Sequence, residues 1–276
     1  MSVLSDFREL VQRRSIVRHF FIADLKTGHR DKVLGNIWQL VDPLAFMLVY
    51  YVVWSIVLGR RGPDRTVYLL SGIITFRVFS DMVLAASNSL RSHARLIREV
   101  YFPKASLPTA VALSRLHDFA WALAALFLLQ LYAIHVQGRA ADSGIVITHP
   151  VSLGIHILWL PAAVGLLFAF SLGCSYLSAI GGVLFRDTPN ILSFLLRIWF
   201  YLSPLFYYEE DVPRNIFTFY RVNPFTHFFR LIRNAMLYDR PPTLNGTVYV
   251  ACLSIVVLII GFVVFSKFEG AAVKQL

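Results

Sequence analysis

The chain has 276 residues, of which 57% are hydrophobic and 15% are charged. Soluble domains carry about 25% charged residues, so this composition excludes an ordinary soluble protein, and the length fits one domain without a separate catalytic module. The net charge of +10 is explained by basic residues at lipid headgroups, and we expect no nucleic-acid partner.

Six apolar stretches are long enough to cross a bilayer as helices. A hydrocarbon core about 30 Å thick requires about 20 apolar residues, and backbone amides in lipid must bond within their own helix. The predicted spans are residues 39–59, 66–89, 109–136, 155–184, 190–206 and 247–266. We therefore predict an all-α integral membrane protein, a single domain over residues 1–276 whose six-span bundle occupies residues 39–266.

Basic residues outside the spans are unevenly distributed. Fourteen lie near the termini and in the joints at 90–108 and 184–189, whereas the short loops of the opposite side carry four. Because lysine and arginine are enriched in cytoplasmic loops, both termini of this multi-pass protein are predicted to be cytoplasmic.

The first 36 residues predict an amphipathic interface helix. Phe7, Val17 and Phe21 recur with other apolar residues at spacings of three and four, which is the period of one helical face. Arginines and a lysine interleave with them, so the helix would lie in the cytoplasmic leaflet and pair with anionic headgroups. The alternative is a helix packed on the protein's own cytoplasmic surface.

The joint between the second and third spans predicts a short amphipathic helix that ends before Pro103, because the residue before a proline disfavours helix. The aromatic pair Tyr101 and Phe102 favours docking on a cytoplasmic partner over a plain solvated connector. The predicted docking residues of segment 91–104 are Arg91, Arg95, Arg98, Glu99, Tyr101, Phe102 and Lys104.

Most charged residues inside the spans are paired at helical spacing. Arg77 and Asp81 are four residues apart, and Arg115 and Asp118 are three apart, so each pair shares one helical face. We predict mutually neutralising structural pairs rather than a polar pathway. For Arg197, which has no acidic neighbour at helical spacing, both interpretations stay open.

The segment 207–240 is too polar to span the membrane and too aromatic for a free loop. Two short helices separated by a turn at Asn223-Pro224 are predicted to re-enter the outer leaflet. Aromatic residues also cluster on the first and fifth spans. An interfacial belt explains part of this pattern, but rings in mid-span also suit the apolar faces of sugars. The aromatic residues predicted to line a path are Phe46, Tyr50, Tyr51, Trp54, Trp199, Tyr201 and Phe206.

Several enzyme and transporter signatures are absent from the sequence. There is no G-x-x-x-x-G-K-[ST] loop, so the chain does not hydrolyse ATP by that route. Cys174 and Cys252 lie in apolar stretches without the spacing of metal ligands, and no metal site is predicted. The two halves show no internal repeat, which favours a path between two copies of the chain.

Short motifs in a fixed order resemble a known transporter family. They are Asp24-Leu25-Lys26, Leu34-Gly35, Trp38, Pro43, Phe102-Pro103, Phe185-Arg186-Asp187, Ser203-Pro204, Val212-Pro213, Asn223-Pro224 and Arg233. In this combination, the sequence resembles the membrane subunit of ATP-binding-cassette exporters of polysaccharides over nearly its whole length. It departs from the family pattern at Gly28-His29 and Lys32, where the family has Arg-Tyr and serine.

The resemblance implies a homodimeric channel in a bacterial inner membrane, with two separate ATPase subunits that bind ATP and magnesium; no cofactor is expected in this chain. The substrate would be an O-antigen, teichoic acid or galactan carried on a lipid phosphate or pyrophosphate, threading between the first and fifth spans. The residues expected to attract its head are Arg13, Arg14, Arg18 and Lys26. The outer helices would gate the exit through Phe217, Phe219, Tyr220, Phe225, Phe228 and Phe229.

Other functions compete with this interpretation. An exporter of capsule polysaccharide, small lipids or drugs belongs to the same class of transporter. A membrane-embedded glycosyl- or acyltransferase would need a carboxylate or histidine cluster, for which Glu209-Glu210-Asp211 is the candidate. A structural membrane anchor is a third class, and the interface helix and the docking joint argue against it.

Overall fold

The computed structural model describes residues 3–29, 63–142, 150–206 and 217–276, with isolated positions between 41 and 52. Its helices are α1 Val3–Gln12, α2 Arg14–His29, α3 Pro63–Ser92, α4 Ala94–Glu99, α5 Ser106–Asp142, α6 Leu160–Leu184, α7 Thr188–Leu202, α8 Phe217–Val222, α9 Pro224–Met236 and α10 Leu244–Val273. A 3-10 turn, Ile155–Trp159, precedes α6. No strand occurs within the described ranges, where the predicted all-α fold is confirmed.

Four helices of the described part are long and apolar enough to cross a membrane. They are Asp64–Ser92, Ser106–Gly138, Ile155–Leu184 and Leu244–Val273. These helices correspond to the predicted second, third, fourth and sixth spans. The predicted first span, 39–59, lies outside the described ranges apart from single positions.

The fifth predicted span is shorter than expected. α7 ends at Leu202, and Ser203 is extended (φ −92°, ψ 150°). Pro204 follows, which has no N–H to continue the helix and disfavours helix at the residue before it. At 1.5 Å per residue, the 15 residues of α7 extend about 22 Å, less than a hydrocarbon core of about 30 Å. Six complete spans therefore stay a prediction.

Small residues let the spans approach at backbone distance. A Cβ added to Gly173 of α6 would lie 2.5 Å from the carbonyl oxygen of Val257 on α10, and one on Gly261 would meet the carbonyl of Gly173 in return. Such close approach drives helix association in lipid, where there is no hydrophobic driving force between helices. In the most apolar stretch of α3, 72% of the residues are buried, whereas the corresponding share is 28% in each of the other three spans. α3 is therefore the central helix.

Aromatic rings fill the core between α3, α6, α7 and α9. Phe79 stacks on Phe170 with 5.5 Å between ring centres, and Phe225 lies 4.7 Å from Phe76 and 4.9 Å from Phe79. Trp199 of α7 packs edge-on against Phe79 at 5.5 Å. Offset and edge-to-face pairs each stabilise by about 0.5–1.5 kcal/mol beyond the buried area. We call these five rings the aromatic core; they hold α7 and α9 on α3.

The N-terminal segment forms two helices rather than the single helix predicted over residues 1–36. The break between them is a turn at Arg13. Leu10 and Val17 are buried, because α1 packs on the end of α10 and α2 packs along α5. One apolar face therefore packs on the protein itself, which is the alternative stated above. Val11 and Ile22 are exposed on the other side, and the position at the membrane surface stays a prediction.

Candidate functional site

The joint, residues 91–104, contains the predicted short helix. α4 ends at Glu99, and Val100 is extended (φ −131°, ψ 137°) ahead of Pro103. The ring of Phe102 lies 5.4 Å from that of Phe20 in α2. Phe102 thus packs the joint against α2.

The structure divides the seven predicted docking residues into two groups. Arg91 donates to the carbonyl of Val183 at 3.1 Å, and Lys104 pairs with Glu269 of α10 at 3.0 Å. Phe102 is only 4% exposed. These three side chains hold the joint on its own protein. The exposed part, which we call the joint surface, consists of Arg95, Arg98, Glu99, Val100 and Tyr101.

Tyr101 connects the joint to α1. Its hydroxyl donates to Glu9 at 3.3 Å, and the guanidinium of Arg13 lies 5.6 Å from its ring centre. The ammonium of Lys104 lies 5.8 Å from the same ring. Both cations are within the distance of a cation–π interaction. This contact could not be predicted from the sequence, because Glu9 and Tyr101 are 92 residues apart.

A basic cavity of about 510 Å³ opens beside α2. The described residues that line it are Arg14, Ser15, Arg18, His19 and Ile22. Two of the four residues predicted to attract a lipid head are therefore brought together here. Arg13 instead pairs with Glu9 at 3.3 Å, and Lys26 is exposed elsewhere on α2.

Both predicted charge pairs within the spans are present. Arg77 lies 3.4 Å from Asp81, and Arg115 lies 3.0 Å from Asp118. Arg115 also reaches Asp24 of α2 at 3.7 Å, a contact that the sequence did not indicate. Arg115 thus links α5 to α2, whereas the pair of Arg77 and Asp81 lies within α3.

α7 presents an exposed face that is mostly apolar and also carries Asn190 and Arg197. Phe194 and Tyr201 are about 60% exposed on it. Among the described residues, no ion pair includes Arg197. Tyr201 stacks on Phe206 with 6.1 Å between ring centres, whereas Trp199 belongs to the aromatic core. The other four predicted path residues, Phe46, Tyr50, Tyr51 and Trp54, lie outside the described residues.

The described part of segment 207–240 contains two short helices around Asn223-Pro224, as predicted. Asn223 caps α9, because its Oδ1 accepts from the N–H of Phe225 at 3.0 Å. The same oxygen accepts from Trp199 Nε1 at 3.2 Å, and the amide nitrogen donates to Ser203 Oγ at 3.1 Å. One side chain thus starts α9 and ties it to α7.

The predicted gate residues lie in different environments. Phe225, Phe228 and Phe229 are fully buried, whereas Phe219 is 55% exposed and Tyr220 is half-buried. The side chain of Phe217 is outside the described part. The three buried rings present no surface to a substrate in this conformation, and the sequence could not separate them from the exposed ones.

Arg233 is the most deeply buried arginine of the described part, at 3% exposure. It donates to Ser71 Oγ and the Pro204 carbonyl at 3.2 Å each and to the Tyr68 carbonyl at 3.3 Å. Its guanidinium lies 3.4 Å from the ring centre of Tyr68. A buried arginine is tolerated when its donors are satisfied, so Arg233 ties α9 to α3 and to the end of α7.

The loops opposite the joint are fixed by polar residues that the sequence analysis missed. Gln130 of α5 donates to the carbonyls of Ser152, at 3.1 Å, and Met236. Asp239 (φ 46°) accepts from the His156 backbone N–H at 3.0 Å and from its ring at 2.8 Å. These hydrogen bonds hold the pKa of Asp239 below its usual value. Gln130 could have been noticed in the sequence, because a glutamine within an apolar span needs polar partners.

Long apolar helices, a structured joint and basic N-terminal helices define a membrane-spanning transport protein. Residues 18–237 match the ABC-2 type transporter family, and the chain belongs to that family. It is accordingly a transport subunit and not an enzyme, and ATP hydrolysis belongs to a separate subunit. The resemblance inferred from the motifs is thereby confirmed.

Proteins named as export permeases or transport proteins align with most of the chain. The O-antigen export system permease protein RfbA of Myxococcus xanthus is 26% identical over 255 residues, 91% of each chain. The protein of the same name from Klebsiella pneumoniae is 24% identical over 89% of each chain. The polysialic acid transport protein KpsM of Escherichia coli is 23% identical over 92% of this chain and 94% of its own length.

Proposed function

We propose that two copies of the chain form the membrane path of an exporter that moves a lipid-linked polysaccharide to the outer side of a bacterial inner membrane. Two ATPase subunits would bind ATP and magnesium and drive the movement. The observation that carries this proposal is the similarity to permeases named for O-antigen export over 89–91% of both chains. Glycans of the O-antigen type are therefore the first substrates to test.

Six membrane crossings are supported by contacts between chain segments. Phe20 of α2 packs on Phe102 of the joint, so both lie at one face of the membrane. The chain must cross an even number of times between them. α3 supplies one crossing, and the predicted span at 39–59 would supply the other.

The same argument applies to the second half of the chain. The hydrogen bond from Arg91 to Val183 and the ion pair from Lys104 to Glu269 join the ends of α6 and α10 to the joint. Between those ends α10 crosses once, so one more crossing is needed, where 190–206 was predicted. The excess of basic residues puts the shared face in the cytoplasm, together with both termini.

The joint surface suits the docking of an ATPase subunit. Tyr101 and Val100 are more than half exposed, next to Arg95 and Arg98. An aromatic anchor surrounded by arginine is the composition that concentrates binding energy at protein interfaces. Since Tyr101 also contacts Glu9 of α1, a partner that moves the joint would also move the N-terminal helices.

The basic cavity suits the phosphate or pyrophosphate head of a lipid carrier. Arg14 and Arg18 can both donate to phosphate oxygens, and guanidinium groups match that geometry with two parallel hydrogen bonds. Ile22, which also lines the cavity, offers apolar contact to the lipid chain. Attraction of the head would bring the substrate to α2, beside the joint.

A capsule polysaccharide is the second candidate substrate. The observation that favours it is the similarity to polysialic acid transport proteins over 92% of this chain. Both candidates are polysaccharides, so the identity of the glycan that accumulates when the protein is depleted separates them.

The exporter complex can be tested by purification in a gentle detergent. A phosphate-loop ATPase should co-purify in stoichiometric amount, and its activity should be lost when the loop lysine is replaced. Tyr101→Ala combined with Arg98→Glu should weaken co-purification at least tenfold, while Arg240→Glu at the opposite face should not. A clean preparation without an ATPase would contradict the proposed function, and full binding by the joint variant would contradict the docking site.

The substrate can be tested by depletion of the protein in its own host. A lipid-linked glycan should accumulate on the cytoplasmic side, and mass spectrometry of its lipid and sugar identifies the class. Arg14→Gln with Arg18→Gln should slow export at least tenfold without loss of the ATPase, whereas Lys26→Gln should have little effect. Unchanged export by the double variant would refute the role of the cavity.

A further inference from the structure

The joint is attached at each of its two ends to a different membrane span. At its start, Arg91 donates to the carbonyl of Val183, in the last turn of α6, at 3.1 Å. At its end, the ammonium of Lys104 lies 3.0 Å from the carboxylate of Glu269 on α10. The chain runs from the joint into α3 on one side and α5 on the other. The two polar contacts therefore reach spans that the chain does not join to it directly.

α6 and α10, the two spans reached in this way, are packed against each other through their backbones. A Cβ added to Gly173 or to Gly261 would meet the backbone of the opposite helix. Nearer the joint, the ring of Tyr176 on α6 lies 5.5 Å from the rings of Phe262 and Phe265 on α10. Close-packed interiors transmit strain, so a displacement applied to the end of one helix is shared with the other.

The ion pair of Lys104 and Glu269 is partly shielded from water. Its side chains are 18% and 23% exposed, so it is screened less by salt than a surface pair. Separation of the two groups would leave partly buried charges unpaired, which is strongly disfavoured. The pair of Arg95 and Glu99 in the same joint is different, because it is 91% and 57% exposed and lies within α4.

Arg91 makes the second attachment at the end of a helix. The last four carbonyls of a helix lack intrahelical donors and carry a partial negative charge, which attracts a cation. The carbonyl of Val183 belongs to this group in α6, and the half-buried guanidinium of Arg91 donates to it. This contact depends on the donor at position 91 and on the backbone of α6, and not on any side chain of α6.

We propose that Arg91 and Lys104 are positioning residues that pass the movement of the docked joint to the pair of α6 and α10. Arg98 and Tyr101, on the joint surface, instead bind the ATPase subunit. This inference rests on the proposed export function and divides the predicted docking residues by what each does. Loss of a docking residue releases the ATPase, whereas loss of a positioning residue leaves the ATPase bound and lets it hydrolyse ATP without export.

Glu269→Gln tests the ion pair in the complete complex, expressed in the host after depletion of the unaltered protein. Co-purifying ATPase and its rate of hydrolysis should stay within twofold, while the rate at which polysaccharide appears on the cell surface should fall at least tenfold. Lys267→Gln, at an exposed position of α10, is the matched control and should change none of the three. Export within twofold of normal would overturn the proposal, as would a loss of bound ATPase in proportion to export.

Exchange of the two charges separates the ion pair from a direct contact of Lys104 with the ATPase. Lys104→Glu alone places two carboxylates together, and Glu269→Lys alone places two ammonium groups together, so each should reduce export at least tenfold. The combined variant restores an attractive pair and should recover export to within threefold of normal. Failure to recover, with the ATPase still bound, would overturn the proposal. Failure of the proposed function looks different, since no ATPase would co-purify even with the unaltered protein.

Replacement of Arg91 tests the other end of the joint. Arg91→Met keeps an apolar stem but removes the donor, so export per ATP hydrolysed should fall at least fivefold while the ATPase stays bound. Arg91→Lys can still donate to the carbonyl of Val183 and should recover part of the loss. Release of the ATPase by Arg91→Met, to the extent seen with Tyr101→Ala combined with Arg98→Glu, would show that Arg91 is a docking residue and would overturn its positioning role.

Discussion

Replacing Gly173 with alanine should destabilise the protein, because α6 and α10 touch through their backbones at this point. The added Cβ would lie 2.5 Å from the Val257 carbonyl oxygen and 2.7 Å from the Leu258 nitrogen. Ordinary contacts begin at 3.4 Å, so α10 would have to withdraw by 0.9 Å, the difference between 3.4 and 2.5 Å. Backbone atoms cannot rotate away as a flexible side chain can.

The magnitude follows from the dispersion energy lost along the crossing. A gap of 0.5–1 Å removes about a quarter to a half of a pair energy of about 0.1–0.2 kcal/mol. The withdrawal of 0.9 Å is near the upper end of that gap, so about half of each pair energy is lost. With roughly 40 atom pairs, as many as one buried leucine makes, the loss is about 2–4 kcal/mol. Alanine favours helix over glycine by about 0.8–1.0 kcal/mol. The net destabilisation is about 1–3 kcal/mol, which lowers Tm by about 2–12 °C.

Thermal unfolding in detergent at one scan rate measures the effect. Gly165→Ala on the same helix is the control, because nothing lies within 4 Å of its added Cβ. That variant should raise Tm by about 2–4 °C through helix propensity alone. If Gly173→Ala changes Tm in the same direction and by the same amount as Gly165→Ala, close backbone packing does not hold α6 on α10.

Three further predictions concern polar contacts. Asp24→Asn should lower Tm by about 1–3 °C, because the pair with Arg115 at 3.7 Å is one-third exposed and is therefore worth less than about 1 kcal/mol; a double-mutant cycle measures the coupling. Asn223→Ala should destabilise the protein by about 2–4 kcal/mol in thermal unfolding, since it removes a helix cap and a buried acceptor. The pKa of Asp239 is lowered by hydrogen bonds from His156. The ionised carboxylate should therefore stabilise the folded protein above about pH 4, and this stabilisation is lost as the pH falls through the folded-state pKa. Tm measured from pH 3 to 6 should depend less on pH in Asp239→Asn than in the unaltered protein.

Each of these predictions has a control and a contrary outcome. A cycle with zero coupling between Asp24 and Arg115 would show that the pair contributes nothing. Asn223→Asp keeps the cap acceptor and should lose less stability than the alanine variant; equal losses would contradict the capping role. Asp239→Asn keeps a hydrogen-bond acceptor and tolerates positive φ. If this variant has the same dependence of Tm on pH as the unaltered protein, Asp239 does not contribute to the loss of stability in acid.

Local features of the structure could be predicted from the sequence. The spans at α3, α5, α6 and α10 follow from apolar length alone, because the bilayer sets the number of helical residues. The start of α9 at Asn223-Pro224 follows from proline geometry, whereas α4 already ends at Glu99, four residues before Pro103. The charge pairs Arg77–Asp81 and Arg115–Asp118 follow from helical spacing. Each of these depends on residues fewer than about thirty positions apart.

Contacts between distant segments could not be predicted from the sequence. Nothing in the pattern pairs Tyr101 with Glu9, or Arg233 with Ser71, since helical periodicity says nothing about residues on different helices. Hydropathy also cannot tell a phenylalanine that faces a path from one that packs in a core. For that reason the predicted gate includes both Phe219, which is exposed, and Phe225, which lies among six other aromatic rings.

The contact between Asp6 of α1 and Ser266 of α10 brings the two ends of the chain to the same face of the protein. Two copies can therefore be joined head to tail by a flexible linker, without an added membrane-spanning segment. In such a tandem protein each half carries its own codons, so one gate or one joint can be altered while the other stays intact. Export by these half-altered proteins would show whether the two copies of the proposed dimer act in concert or in turn.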